Sequence, residues 1–173
     1  MDSKTDIFLE VINKHRRLIY KIVNGYCKNR AAHEDLVQEI ILQLWLSFKT
    51  FKGGVKHSTW IYRIALNTAI SFYRKGQNEQ AISSEFLPQH EHVLIESEKK
   101  EEDSNIQLLY DFIHELKEID RALILLYLDG LSHKQIAEII GLSPTNVGTK
   151  INRIKKTLTN KFQSKLTLNN DGK

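Results

Sequence analysis

The sequence predicts an all-α protein made of two small helical domains that are joined by a flexible acidic linker. Apolar residues recur with the helical period of 3.6 over long stretches, and only two prolines occur in 173 residues. A polar segment interrupts this pattern near the middle of the chain, whose length is compatible with two small domains. We therefore expect domains over 1–75 and 106–162, a linker over 76–105 and a tail over 163–173.

Three helices are predicted in the N-terminal domain, over 6–28, 31–49 and 58–75. Lys28-Asn29-Arg30 separates the first two helices, Gly53-Gly54 ends the second, and Ser58 or Thr59 is expected to cap the third. The second helix has an apolar stripe that is wider than one core face requires. This stripe contains Leu36, Val37, Ile40, Ile41, Leu44, Trp45 and Phe48.

The segment 76–105 reads GQNEQAISSEFLPQHEHVLIESEKKEEDSN and contains one Gly, one Pro, four Ser and eight acidic residues, which predicts a flexible linker. One short amphipathic turn is expected in it, at Phe86-Leu87 or Val93-Leu94-Ile95. The charge balance is +7 over residues 1–75, −6 over 76–110 and +3 over 111–173. Two basic ends around an acidic strip indicate two contacts with a polyanion.

Helices are predicted at about 106–116 and 119–129, and the stretch 133–158 then has the spacing of a helix-turn-helix. Ala137 is small where two helices must cross, and Gly141 suits the left-handed residue that ends the first of them. Ser143 is a good N-cap and Pro144 a good first residue for the second helix. Val147 is placed to pack back against the first helix.

The second helix of this motif has an apolar face and a cationic face. The apolar residues are Val147, Ile151, Ile154 and Leu158, and the basic ones are Lys150, Arg153, Lys155 and Lys156. A helix that lies in a DNA major groove needs both faces. The alternative is an ordinary helical hairpin with a solvated basic face, but the small residue, glycine, N-cap and basic helix together favour DNA binding.

Composition argues against several other classes of protein. Cys27 is the lone cysteine, which excludes an internal disulfide framework and fits a reducing cytosol. We expect neither a signal peptide nor membrane insertion, and a cytoplasmic location. His90-Glu91-His92 lacks a third ligand at metal spacing, and no glycine-rich phosphate loop appears. The sequence therefore predicts no metal site, no cofactor and no enzymatic activity.

Three segments resemble the extracytoplasmic-function (ECF) group of the sigma-70 family, the sigma subunits of bacterial RNA polymerase. They are DLVQEIILQLW at 35–45, STWIYRIALNTAISFYRK at 58–75 and the helix-turn-helix, and the likeness spans about 6–75 and 106–160. The resemblance implies a non-enzymatic factor that directs core RNA polymerase to specific promoters and aids their melting. Its implied partners are core polymerase, promoter DNA and an anti-sigma factor.

By this resemblance, the 35–45 helix docks on the clamp helices of the largest polymerase subunit. Its acidic edge beside excess apolar surface suits a partner that presents arginines. The residues expected in this contact are Asp35, Gln38, Glu39, Ile41, Leu42 and Trp45. The alternative for Asp35 and Glu39 is that they only favour the helix dipole.

The 58–75 segment and the loop before it would read and melt the minus-ten element. Unpaired bases must be held by stacking and hydrogen bonds while cations neutralise the phosphates. The residues expected to bind this DNA are Lys56, His57, Ser58, Thr59, Trp60, Arg63, Asn67 and Arg74. Core packing is the alternative for Trp60, and a solvated surface is the alternative for Arg63, Asn67 and Arg74.

The helix-turn-helix would bind the minus-thirty-five element. The residues expected in that contact are Ser143, Thr145, Asn146, Thr149, Lys150, Arg153 and Lys156. Gly148 stands where relatives often have lysine, which weakens the helix by about 1 kcal/mol relative to alanine and removes a side-chain contact. The family's base preference therefore does not transfer to this chain. Ser71 likewise stands where many relatives have aspartate, so an ion pair built on that residue is absent.

An alternative function is a helix-turn-helix regulator that binds duplex DNA without joining polymerase. Such a protein needs a dimer interface or a ligand-sensing domain. The first 75 residues offer a docking helix and a helix suited to single-stranded DNA instead.

Overall fold

The computed structural model describes residues 3–82 and 101–170, which form seven α-helices and no strand. They are α1 (Ser3–Tyr26), α2 (Arg30–Phe48), α3 (His57–Ile82), α4 (Glu101–His114), α5 (Glu118–Leu128), α6 (His133–Ile140) and α7 (Pro144–Asn170). Helix α1 packs with α2 and α3 in one compact unit, and α4–α7 form a second unit. The all-α prediction is confirmed. Among the described helices, none is both long and apolar enough to cross a membrane.

The helix ends differ from the sequence prediction where polar residues continue a helix. Helix α3 runs through Gly76 to Ile82 and α4 begins at Glu101, so both enter the segment that we predicted as linker. Gln and Glu propagate a helix well in water, and polarity alone does not end one. Helix α7 similarly continues past 162 to Asn170. The short turns predicted at 86–87 and 93–95 lie outside the described residues.

The core of the first unit forms where three helices turn apolar residues inward. Leu36, Ile40 and Leu44 are spaced four apart on α2 and are all 0% exposed. Ile61, Ala65 and Ala69 repeat this spacing on α3, and the small side chains of the two alanines allow close packing. Helix α3 begins at His57, so Ser58 and Thr59 lie in its first turn and do not precede the helix as caps.

Polar contacts fix the start of α2 against α1. The side chain of Asn29 caps α2 by accepting from the Ala32 amide at 2.8 Å. The Nε2 atom of His33 lies 2.8 Å from Oδ1 of Asn24, and its ring stacks on Tyr20 with centroids 5.8 Å apart. Burial lowers the pKa of His33, against the opposing effect of Glu34. These contacts set the direction in which α2 leaves α1.

The second unit is organised around α5, in which residues 121–126 are all buried. Arg121 is buried, and its guanidinium donates to the carbonyl of His114, which ends α4, and to that of Leu116 just beyond it, the latter at 2.9 Å. Ser132 and Gln135 form a capping box at the start of α6. Gly141 ends α6 with φ of 81°, and the Asn146 amide donates to Ser143 Oγ at 3.2 Å. The predicted helix-turn-helix is confirmed in its turn, its caps and its buried Ala137 and Val147.

Candidate polymerase and DNA interfaces

Helix α2 presents a row of acidic and apolar side chains on the face opposite its core residues. We call Asp35, Gln38, Leu42 and Leu46 the α2 outer stripe, because their spacing of three and four residues places them on one side of the helix. All four are exposed, and Leu42 and Leu46 are 49% and 50% exposed. Two leucines one turn apart form apolar surface that the fold does not use. Leu46 was missed in the sequence analysis, although its spacing from Leu42 was a signal.

The other predicted docking residues border this stripe. Glu39 is half-buried and accepts a hydrogen bond from Gln43 Nε2 at 2.9 Å. Ile41 and Trp45 are half-buried, and the Trp45 ring makes an edge contact with Phe8 of α1, at 5.0 Å between centroids. The Trp45 indole is therefore shared between the core and the surface.

The position of the carboxylates along α2 bears on the helix-dipole alternative. Helix α2 begins at Arg30 and has no acidic residue in its first turn. The dipole effect falls off within that turn. It therefore does not account for Asp35 or Glu39, which lie further along the helix.

Helix α3 carries a polar row of three residues on its outer side. Arg63, Asn67 and Arg74 are separated by four and seven residues, so they lie along one face. Asn67 and Arg74 are exposed and Arg63 is half-buried. Lys56 and His57 are exposed at the start of the same helix. These five side chains can supply cations and an amide to a nucleic-acid strand.

Trp60 is buried, unlike the other residues that were predicted to bind minus-ten DNA. It is only 7% exposed, and its Nε1 donates to Ser47 Oγ at 3.2 Å. The rings of Phe48 and Phe51 lie 6.0 and 4.9 Å from it. The structure therefore favours the core-packing alternative for Trp60, which anchors the loop between α2 and α3. Ser58 and Thr59 are half-buried beside it.

A groove of about 680 Å³ runs between α2 and α3. Asp35 and Glu39 line it from α2, while Asn67 and Ser71 line it from α3. The groove joins the acidic edge of the α2 outer stripe to the polar row of α3. Two of the predicted surfaces therefore meet in the first unit.

On α7, the predicted DNA-binding residues lie in two environments. Thr145, Asn146, Thr149, Arg153 and Lys156 are exposed. The Nζ atom of Lys150 lies 3.8 Å from Oδ1 of Asp120 on α5, so its charge is partly offset. Ser143 uses its hydroxyl as the helix cap. Lys150 and Ser143 are exposed as well, so it is these contacts, and not burial, that make the first five residues the better candidates for direct contact with DNA.

Gly148 has a packing role that the sequence did not reveal. A Cβ built at this position would lie 3.2 Å from Nδ1 of His133, at the start of α6. The His133 ring tilts toward Tyr127 at 6.5 Å, and Lys155 Nζ lies 3.3 Å from the Tyr127 hydroxyl. Because Gly148 has no Cβ, the His133 imidazole can pack against the side of α7.

This packing predicts that substitutions at 133 and 148 are coupled. Gly148→Ala should stabilise a His133→Ala background by about 1 kcal/mol, because alanine is the better helix former. In the protein that retains His133 the gain should be smaller, because the imidazole must move to make room for the new Cβ. Thermal unfolding of the four proteins of the double-mutant cycle measures this difference. Equal gains in both backgrounds would rule out the steric coupling.

No group of three His, Cys, Asp or Glu side chains that could hold a metal ion occurs within residues 3–82 and 101–170. His90, Glu91 and His92 lie outside these ranges.

Comparison with protein families gives two matches in chain order. Residues 11–79 match the model for Sigma-70 region 2, and residues 106–158 match the model for Sigma-70, region 4. The ECF RNA polymerase sigma-E factor of Haemophilus influenzae is 31% identical, with 88% of this chain and 86% of that protein covered. The ECF RNA polymerase sigma factor SigW of Bacillus subtilis is 27% identical, with 88% and 87% covered.

Two solved structures have a similar fold. One is the sigma factor RpoE of Bartonella quintana in complex with the anti-sigma factor NepR, with a TM-score of 0.70 and 19% identity over 94% of this chain and 98% of that one. The other is CnrH in complex with the cytosolic domain of CnrY, with a TM-score of 0.68 and 17% identity over 92% and 90% of the two chains.

Proposed function

Since this chain belongs to the ECF group of the sigma-70 family and is a sigma factor that directs RNA polymerase to promoters, we propose how its two helical units divide that task. The region 2-like unit, residues 1–75 with the rest of α3, docks on core polymerase and opens the minus-ten element. The region 4-like unit, residues 106–162, binds the minus-thirty-five element. The protein is a non-enzymatic initiation factor, and we infer that it acts in the cytoplasm.

The docking surface is the α2 outer stripe together with Glu39, Ile41 and Trp45, and it meets the clamp helices of the largest subunit. The observation that carries this assignment is the contrast between the two faces of α2. Leu36, Ile40 and Leu44 are 0% exposed, so they already hold the helix in the fold. Leu42 and Leu46 remain half exposed beside carboxylates, which suits a partner that covers apolar surface and presents arginines.

Minus-ten DNA lies along the polar row of α3. The guanidinium groups of Arg63 and Arg74 neutralise phosphates, and the Asn67 amide offers both a donor and an acceptor to an unpaired base. Lys56 and His57 extend this surface at the start of the helix. Trp60 supports it from below by fixing the loop between α2 and α3.

Minus-thirty-five DNA is read by the exposed side of α7 while α6 crosses the DNA backbone. Thr145, Asn146 and Thr149 are short polar side chains in the N-terminal half of α7 and are placed for base edges. Arg153 and Lys156 lie further along and suit phosphates. Lys150 would contribute less than its charge suggests, because Asp120 lies 3.8 Å away.

An anti-sigma protein is the further partner that we propose. The support is the fold similarity to RpoE, which was solved with the anti-sigma factor NepR. A regulator that binds duplex DNA without polymerase is the weaker alternative, because region 2 spans residues 11–79 of this chain.

Salt dependence tests the assignment of α7. In holoenzyme on duplex DNA that carries the minus-thirty-five element, Lys156→Ala should lower the slope of log affinity against log salt by about one unit for a lost phosphate contact. Arg153→Ala should behave in the same way, and both losses of affinity should shrink as salt rises. Lys165→Ala is the matched control, because this lysine is exposed on the same helix far beyond the reading surface. Unchanged slopes for Arg153→Ala and Lys156→Ala would remove α7 from the DNA contact.

A further inference from the structure

Helix α1 carries a cationic face that the proposed docking and DNA contacts do not use. Lys14, Arg17 and Lys21 are spaced by three and four residues, so they lie in one row, and all three are exposed. We call this row the α1 cationic face. The opposite side of the helix includes Ile19 and Ile22, which are buried in the core of the first unit. The row is therefore directed away from the α1–α3 bundle.

The stretch of sequence that contains this row is also basic throughout. No acidic residue occurs between Glu10 and Glu34, while Arg16, Lys28 and Arg30 add three more exposed cations to the same stretch. Interaction with the helix dipole does not explain this bias, because that effect is confined to the last turn. The last turn of α1 contains no basic residue.

The C-terminal end of α1 packs against α3 near the DNA surface proposed there. Tyr26, at the C-terminal end of α1, contacts Tyr73 of α3 with ring centroids 6.3 Å apart. Arg74 follows Tyr73 in sequence, so the cationic half of α1 leads toward the end of α3 that carries Arg74. At a rise of 1.5 Å per residue, Lys14 and Lys21 are about 10 Å apart along the helix axis. Four consecutive phosphates of one DNA strand span a similar distance, about 10 Å, along the duplex axis.

We propose that the α1 cationic face binds backbone phosphates of double-stranded promoter DNA that flanks the melted minus-ten element. The inference rests on the proposed placement of minus-ten DNA along α3 and adds a third DNA contact to that surface. Lysines are depleted in protein–protein interfaces, whereas phosphate contacts use them freely. A membrane-surface helix turns its apolar side toward lipid. The apolar side of α1 is buried in the protein core instead.

The test uses holoenzyme with the double variant Lys14→Gln/Arg17→Gln and promoter templates in which the minus-ten element is held open. With duplex on both flanks, affinity at about 0.1 M salt should fall by roughly tenfold or more, and the salt slope should fall by about two units. On a single-stranded minus-ten oligonucleotide without duplex, affinity should not change. Lys14→Arg/Arg17→Lys keeps the charges and should retain both the affinity and the slope.

Arg16→Gln is the matched control, because Arg16 adjoins Arg17 in sequence but points about 100° away around the helix. It should leave the salt slope unchanged. The proposal is overturned if the double variant keeps the full slope, or if it weakens binding to the single-stranded oligonucleotide as much as to the flanked template. A fall in affinity for core polymerase, with no change in the salt slope for DNA, would identify a protein partner and also overturn it. The same assay tests the proposed function separately. If minus-ten DNA lies along α3, Arg63→Ala should weaken binding to the single-stranded oligonucleotide.

Discussion

Reversing both carboxylates at the acidic edge of α2, with Asp35→Lys and Glu39→Lys, is expected to weaken binding to core RNA polymerase by at least about a hundredfold. Losing one partner of a close interfacial charge pair costs roughly 2–5 kcal/mol, and reversal adds repulsion to that loss. A tenfold change in affinity corresponds to about 1.4 kcal/mol. The measurement is a titration of labelled core polymerase with each protein. Circular dichroism and thermal unfolding should show a folded variant, because Asp35 is exposed and Glu39 is half-buried.

Glu34→Lys is the matched control for this reversal. Glu34 lies on the same helix but outside the α2 outer stripe, and it forms an exposed pair with Arg30 at 3.0 Å. Breaking such a pair costs at most about 1 kcal/mol of stability. Polymerase affinity should stay close to that of the unaltered protein. If the Asp35→Lys/Glu39→Lys variant also bound with unchanged affinity, the docking surface would lie elsewhere.

The second large effect is expected in promoter opening. Arg63→Ala/Asn67→Ala should slow open-complex formation by roughly tenfold to a hundredfold, because a hydrogen bond to a charged group, such as one between Arg63 and a phosphate, is worth about 1.5–3 kcal/mol. Closed complexes should still form, since the minus-thirty-five contact is on α7. The measurement is a base-reactivity probe of melted thymines over time, with closed complexes followed separately by footprinting. Normal opening rates would remove α3 from the melting step.

The sequence predicted the helix-turn-helix in detail because its signals are local. The left-handed Gly141, the Ser143 cap and Pro144 each specify backbone geometry within a few residues. The excess apolar stripe of α2 was also predictable, because periodicity shows how many faces a helix must cover. Within that stripe Ile41 and Trp45 are half-buried, and the exposed Leu42 and Leu46 add apolar surface that the predicted stripe did not include.

Features that depend on contacts distant in sequence could not be predicted. Trp60 is flanked by cations in sequence, but Phe48, Phe51 and Ser47 of the preceding segment cover its ring. The space at Gly148 depends on His133, which lies on another helix. Polar residues after Lys75 gave no sign that α3 continues to Ile82, because both a helix and a linker can be polar. In each case the sequence alone does not show which residues the fold brings into contact.

The central claim is that the two units serve different steps, with α3 holding single-stranded bases and α7 holding duplex DNA. The most direct measurement compares open-complex formation by Arg63→Ala and Arg153→Ala holoenzymes on a closed promoter and on one with a pre-melted minus-ten bubble. The bubble removes much of the pairing and stacking energy that opening must overcome. The bubble should therefore restore open-complex formation by the Arg63→Ala holoenzyme substantially, and that by the Arg153→Ala holoenzyme much less. Equal rescue of both variants would contradict this division of labour.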